Sequence, residues 1–172
     1  IILSETSIVR DHYRKFAAYN QWVNKRLYDA LAELSEQELH KDLGAFFGSL
    51  TGTLNHLLVG DLLWMRRFDK GGLKPETLDT VLHENFAELR KLREETDERI
   101  VRFISGCTDD YLASHMSYKT SAGIDCNDRI SDMLTHMFNH QTHHRGQCHH
   151  MLSQLGKAPP PLDMIYFIRE ME

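Results

Sequence analysis

The sequence predicts an all-α protein built as a four-helix bundle. Four segments of about 20 to 30 residues each carry apolar side chains at helical spacing. Glycine, proline or polar stretches separate them, and strand-like alternation is nearly absent. Helices with one apolar face must bury it, and with no sheet available they bury it against each other.

The first helix is expected over residues 4 to about 33, where Phe16, Tyr19, Asn20, Val23, Leu27, Ala30, Leu31 and Leu34 recur at helical spacing. Ser35 and Glu38, three apart, offer a capping-box restart. Leu39 to Gly44 reads as a polar connection. The second helix is expected from about 46 to 68, on Phe46, Phe47, Leu50, Leu54, Leu57, Leu58, Met65 and Phe68. Asp61 falls within that stripe, whereas His56 lies on a second face with Gly52, Val59, Gly60 and Leu63. A helix apolar nearly all round is deeply buried or packed against two neighbours. Ser49, Gly52 and Gly60 leave room beside His56 for a ligand or a closely packed helix. Asp69 to Pro75 stops this helix with two glycines and a proline.

A third helix is expected from about 77 or 80 to 105, with Phe86, Leu89, Leu92, Ile100, Phe103 and Ile104 inside. Arg90, Lys91, Arg93, Glu94, Glu95, Asp97 and Glu98 read as a solvated face of mixed charge. Residues 106 to 126 break the pattern, and Ser121-Ala122-Gly123 signals the turn of a short irregular hairpin. Asn127 or Asp128 is the expected cap of a fourth helix from about 128 to 155. Gly156 and Pro159-Pro160-Pro161 end it, and Leu162 to Met171 forms a final packed segment.

At 172 residues the chain suits one domain, spanning 1–172. Apolar residues make up 41% and charged residues 26%, the balance of a globular protein. No apolar run approaches the roughly 20 residues that cross a membrane, and no leader is visible, so no membrane partner is expected. The first residues are Ile1-Ile2-Leu3-Ser4 without Met, so the natural start is expected to be missing. The net charge is −5 with the basic residues spread out, which argues against a nucleic-acid partner. Three cysteines, Cys107, Cys126 and Cys148, with no Cys-x-x-Cys, are expected as free thiols of a cytoplasmic protein.

Histidine is the unusual residue. Six of the eleven lie between 136 and 150. His136/His140 and His140/His144 are spaced i, i+4, which puts paired imidazoles on one side of a helix. Imidazole is the commonest ligand for mid-row divalent metals. Ile130, Met133, Leu134, Met137, Met151, Leu152 and Leu155 define the apolar face of this helix. His144 lies about 40° from its centre and His140 about 80°, while His136, His143 and His150 lie at about 120°, 140° and 160°. His140 and His144 therefore point to the inner edge of the bundle, and His136 stands as a flanking extra ligand or partner. Cys148 pairs with His144 at i, i+4, but at the centre of the apolar face it reads as a small hydrophobe. A catalytic site usually has three protein ligands. Of His12, His40, His56, His83 and His115, His56 alone sits in a strongly apolar helix, which favours it as the third without settling the matter.

Asn55-His56-Leu57-Leu58-Val59-Gly60-Asp61-Leu62-Leu63-Trp64 and Asn139-His140-Gln141-Thr142-His143-His144-Arg145-Gly146-Gln147 together resemble the DinB family, within the DinB/YfiT-like metalloenzymes. Tyr19-Asn20-Gln21-Trp22-Val23-Asn24 and Pro161 to Phe167 extend the likeness over nearly the whole chain. The resemblance implies up-down-down-up helix order. It also implies a divalent metal, nickel or zinc, held by His56, His140 and His144. DNA-damage-inducible expression comes with the family name; a DNA polymerase shares that name, and nothing here resembles it.

Two functions follow from the resemblance. One is a metal-dependent enzyme performing thiol S-transfer or hydrolysis on a small-molecule thiol or other small substrate. The other is a non-catalytic metal-binding or stress-response protein with a structural ion. No catalytic residue is assigned. Asp61 is the nearest carboxylate in sequence, with a buried acceptor for an N–H or Arg as its structural alternative. Arg145 and Gln147 are expected to tie helices together before shaping a site. The two-faced second helix suggests a homodimer in either case.

Overall fold

The computed structural model describes residues 7–172. Four long helices, α1 (Ile8–Leu31), α3 (Leu50–Asp69), α4 (Phe86–Gly106) and α6 (Ile130–Gln154), carry the architecture. α1 packs on α4, α4 on α3, α3 on α6 and α6 back on α1, so the four close a ring. Short elements fill the connections: α2 (Glu36–His40), α5 (Asp109–Ala113), the antiparallel pair β1 (His115–Lys119) and β2 (Asp125–Arg129), and α7 (Met164–Glu170).

Local chemistry sets the helix boundaries, and several differ from expectation. Ser7 accepts from the Arg10 amide and starts α1 at Ile8, so the expected start at residue 4 lies outside the described residues. The capping box of α2 forms reciprocally between Ser35 and Glu38, and Leu39 is buried rather than part of a polar connection. Phe46 and Phe47 are not helical. The chain turns at Gly48, whose φ of 73° is left-handed, and Ser49 then caps α3 through the Gly52 amide. The third long helix begins at Phe86, because Asn85 caps it through Glu88 and residues 75–85 are held as a loop by Asn55. The Asn55 side-chain oxygen accepts from the Leu82 and His83 amides at 2.7 and 3.1 Å. Asn127 and Asp128 belong to β2 and cap nothing; α6 starts at Ile130, whose amide donates to the Ser114 carbonyl. The packed tail is α7, with Phe167 against Tyr19 and Trp22.

Inside, the core has three layers. Tyr13, Met65, Ile100, Ile104, Met133 and Met137 belong to one apolar cluster. Leu27, Leu31, Leu50, Leu54, Leu89 and Met151 belong to the other. Between them every long helix contributes polar side chains: Asn20 and Asn24 from α1, Asp61 from α3, Arg93 and Asp97 from α4, Gln141 and Arg145 from α6, all buried. Arg93 is 2% exposed and pairs with Asp61 at 2.7 Å and Asp97 at 2.8 Å. This corrects the expectation of a solvated charged face, because two of its members point inward. Asn20 and Asn24 donate to Asp97 at 3.0 and 3.1 Å, while Arg145 donates to both asparagine oxygens and to Gln141. Burial pushes the Asp97 carboxyl up to about 6 against the pull of Arg93. Asp61 thus takes its structural alternative, a buried acceptor for an arginine.

Removing one member of a buried ion set strands the others in a low-dielectric interior. Arg93→Ala is expected to lower unfolding free energy by about 3–5 kcal/mol in urea titrations. A loss below about 1 kcal/mol, the range of an exposed pair, would refute the layer's structural weight.

Candidate metal centre

α3 and α6 run against each other at the level of the polar layer. On the partner-facing side of α3 stands His56; on that of α6 stand His140 and His144, one turn apart. One nitrogen from each of the three rings lies within 4.8 Å of the others, and among the described residues no fourth His, Cys, Asp or Glu joins them. His56 and His144 are each 7% exposed and His140 is half-buried. The three residues singled out from the sequence are therefore brought together.

Glycine makes the approach feasible. A Cβ at Gly60, one turn along α3 from His56, would lie 2.9 Å from the His140 ring. A Cβ at Gly52 would lie 2.1 Å from the Phe47 carbonyl oxygen, so that glycine lets the preceding turn close on α3. The room read beside His56 is thus filled by the protein itself, an imidazole at one glycine and backbone at the other. The closed turn delivers Phe47, whose ring stacks on His56 with centroids 3.8 Å apart and meets His144 edge-on at 5.7 Å.

Hydrogen bonds orient the rings. His56 Nδ1 lies 2.9 Å from the Leu78 carbonyl oxygen, which can only accept, so Nδ1 carries the proton and Nε2 presents a lone pair. His144 Nδ1 donates in the same way to Gln147 Oε1 at 2.7 Å. His56 Nε2 and His140 Nε2 are 3.1 Å apart, close enough to share a proton. Burial, reinforced by the neighbouring His144 and His56, pushes His140 down to about 3. Burial likewise lowers His144, with Gln147 opposing. Both rings are held neutral, the form in which imidazole ligates a metal. Converging ring nitrogens, two tied Nδ1 atoms and a glycine cleared for the third ring fit a divalent ion in chemistry and in space.

The remaining candidates fall away. His136 is exposed, 6.0 Å from His140 between ring centroids, and it packs against Trp64. His143 and His150 are exposed, as are His12, His40 and His115; His149 is half-buried, and His83 faces Glu88. Cys148 sits in the apolar cluster, where burial raises its thiol to about 12. Cys107, Cys126 and Cys148 are free thiols. Sequence reasoning missed Phe47, assigned to a helix it precedes, and the Leu78 carbonyl, a backbone group with no side-chain signature. Gln147, expected to tie helices together, instead bonds His144 and His143 of its own helix, and its spacing of three from His144 is the available signal.

Comparison with known proteins bears on the family and the fold. The sequence profile described as the DinB family matches residues 8–171. The protein named DinB from Bacillus subtilis strain 168 is 26% identical over 155 residues, spanning 87% of this chain and 89% of that protein. A crystal structure of a DinB-like protein from Bacillus cereus ATCC 10987 superposes with a TM-score of 0.61 at 20% identity, over 85% of this chain and 94% of that one, and so shows a shared fold.

The depressed His140 pKa has a sign that can be checked. In the unfolded chain the ring protonates near 6.5; the folded state resists this, so the contribution to stability present above that pH is lost as pH falls toward about 3. In ring NMR spectra of metal-free protein, His140 is expected to keep its neutral shifts down to about pH 5. A His140 signal titrating near 6.5 would contradict the geometry.

Proposed function

The chain belongs to the DinB family, and from that premise we propose that it is a divalent-metal protein in which His56, His140 and His144 hold the ion, nickel or zinc, and that it acts as a metal-dependent enzyme. The observation that carries this is the convergence of three imidazoles with two Nδ1 atoms already tied down. Three protein donors are one short of a closed tetrahedral set, the count typical of catalytic rather than structural ions. A bound ion would supply Lewis acidity, lowering the pKa of a bound thiol or water toward neutrality. The chain's own residues bind and shelter the site. Leu78 and Gln147 orient two rings, and Phe47 keeps water from one side of His56. The chemistry that suits such a site is thiol S-transfer or hydrolysis on a small molecule.

The same reading includes one domain over 1–172, a cytoplasmic location, a homodimer and up-down-down-up helix order. Among the described residues no helix is long and apolar enough to cross a membrane. Support for the helix order comes from the core. α1 and α6 pass from the cluster containing Tyr13 to the one containing Leu50, and α3 and α4 pass the opposite way.

Untagged protein is expected to carry stoichiometric metal, and His56→Ala, His140→Ala and His144→Ala are each expected to lose it while remaining folded by circular dichroism. Unchanged metal content in any one of them would remove that residue from the ligand set. Turnover of low-molecular-weight thiol acceptors, or of small esters and amides, should appear only in metal-loaded protein. A loaded protein inert across such a panel would favour the non-catalytic alternative.

A further inference from the structure

Beyond the histidines, α3 continues the same stripe for two more turns. His56, Gly60, Leu63 and Arg67 are spaced four, three and four apart, which keeps them on one face, with Arg67 roughly 16 Å along the axis from His56 at 1.5 Å per residue. Long helical side chains lean back toward the helix N-terminus, so the Arg67 guanidinium inclines toward the histidines. There a cavity of about 500 Å³ opens between α3, the segment 74–78 and the β1–β2 hairpin. That volume suits a small molecule.

The lining is strongly basic. Arg66, Arg67, Lys74 and Lys119 face the cavity against one carboxylate, Glu76. Two of these cations are already engaged: Lys119 pairs with Asp125 at 2.6 Å, and Arg66 donates to the Gly72 carbonyl at 3.2 Å. Arg67 is different. Its guanidinium lies 4.4 Å from the Trp64 ring centre and 4.9 Å from that of Tyr118, against two rings that meet edge to face 5.8 Å apart. Burial lowers its pKa, and among the described residues no carboxylate pairs with it. A half-buried guanidinium stacked in place with its fork of donors unspent is pre-organised for a planar oxyanion. The cavity and the histidine cluster share one neighbouring residue. Leu78, which lines it, is the residue whose carbonyl oxygen accepts from His56.

We propose that this cavity is a subsite for the carboxylate or phosphate end of a small-molecule substrate, bound by Arg67 with help from Lys74, which places the other end of that molecule toward His56, His140 and His144. The direction of the substrate rests on the metal reading given above; the anion site does not.

The chain has two tryptophans, so Trp22→Phe leaves Trp64, beneath Arg67, as the sole indole reporter. Trp64 emission would be titrated with succinate and, separately, with inorganic phosphate at constant ionic strength, in metal-loaded and metal-free protein. At least one anion is expected to give a saturable change in both forms, and the tighter one assigns the oxyanion. Arg67→Gln should weaken binding by about tenfold or more, the scale of a lost charge-assisted hydrogen bond. Arg67→Lys should restore part of it, and neither should alter metal content. No saturation with either anion, or unchanged affinity in Arg67→Gln, would overturn the subsite. Loss of metal from Arg67→Gln would overturn its separation from the metal centre. Protein that binds the anion but carries no metal would sink the metal reading and leave the subsite standing.

Discussion

A charge buried in the middle of a helical bundle allows very little freedom, and Arg93 imposes that constraint here. Its guanidinium must meet Asp61 from α3 and Asp97 from its own helix. Asp97 in turn is satisfied by Asn20 and Asn24 of α1, and those asparagines accept from Arg145 of α6. Sliding any long helix by one turn would break this set and expose a lone charge to an apolar interior. Apolar contacts above and below tolerate such slips far better. Stability comes chiefly from the two apolar clusters, whereas register comes from the layer between them.

Register is what the histidines need. Asp61 follows Gly60 directly, and Arg145 follows His144 directly. Fixing the inward residue of each pair fixes the neighbour that turns toward the α3–α6 seam. The cluster is then refined by local bonds: the Leu78 carbonyl on one ring, Gln147 on another, and the stacked Phe47. Asn55, beside His56, holds the loop that presents Leu78 through the amides of Leu82 and His83. The Asn-His pair thus acts as one unit, Asn55 shaping the loop from which His56 takes its orientation.

Much of this was legible in the chain. Apolar periodicity located the four long helices, and angular distance from the apolar face separated His140 and His144 from their flanking neighbours. His56 required either a resemblance or a partner, because nothing in α3 alone names the helix it faces. Arg93 and Asp97 were hidden by their surroundings: charges at i, i+4 among five other charged residues look solvated until Asp61, some thirty positions earlier, is placed opposite them. Phe46 and Phe47 were misplaced because apolar spacing ran on across a turn that Gly48 and Ser49 create. Asn127 and Asp128 carried a capping signal that strand pairing with Met116 and Ser117 overrode. The charged residues and the capping signal were outranked by contacts made elsewhere in the chain, whereas the Phe46–Phe47 error came from a local turn that apolar spacing masks.

Gly60 shows how the site bears on the rest of the molecule. It occupies the interior of α3, where glycine costs roughly 0.5–1 kcal/mol relative to alanine in lost backbone freedom. Alanine would recover that helix propensity, but its methyl would meet the His140 ring. The chain therefore carries a standing destabilisation at a residue that binds nothing, and does so to keep two helices near enough for their imidazoles to converge. Stability and site geometry compete at this position, so a search for a more robust variant would find its most tempting substitution at the place where it disturbs the centre most.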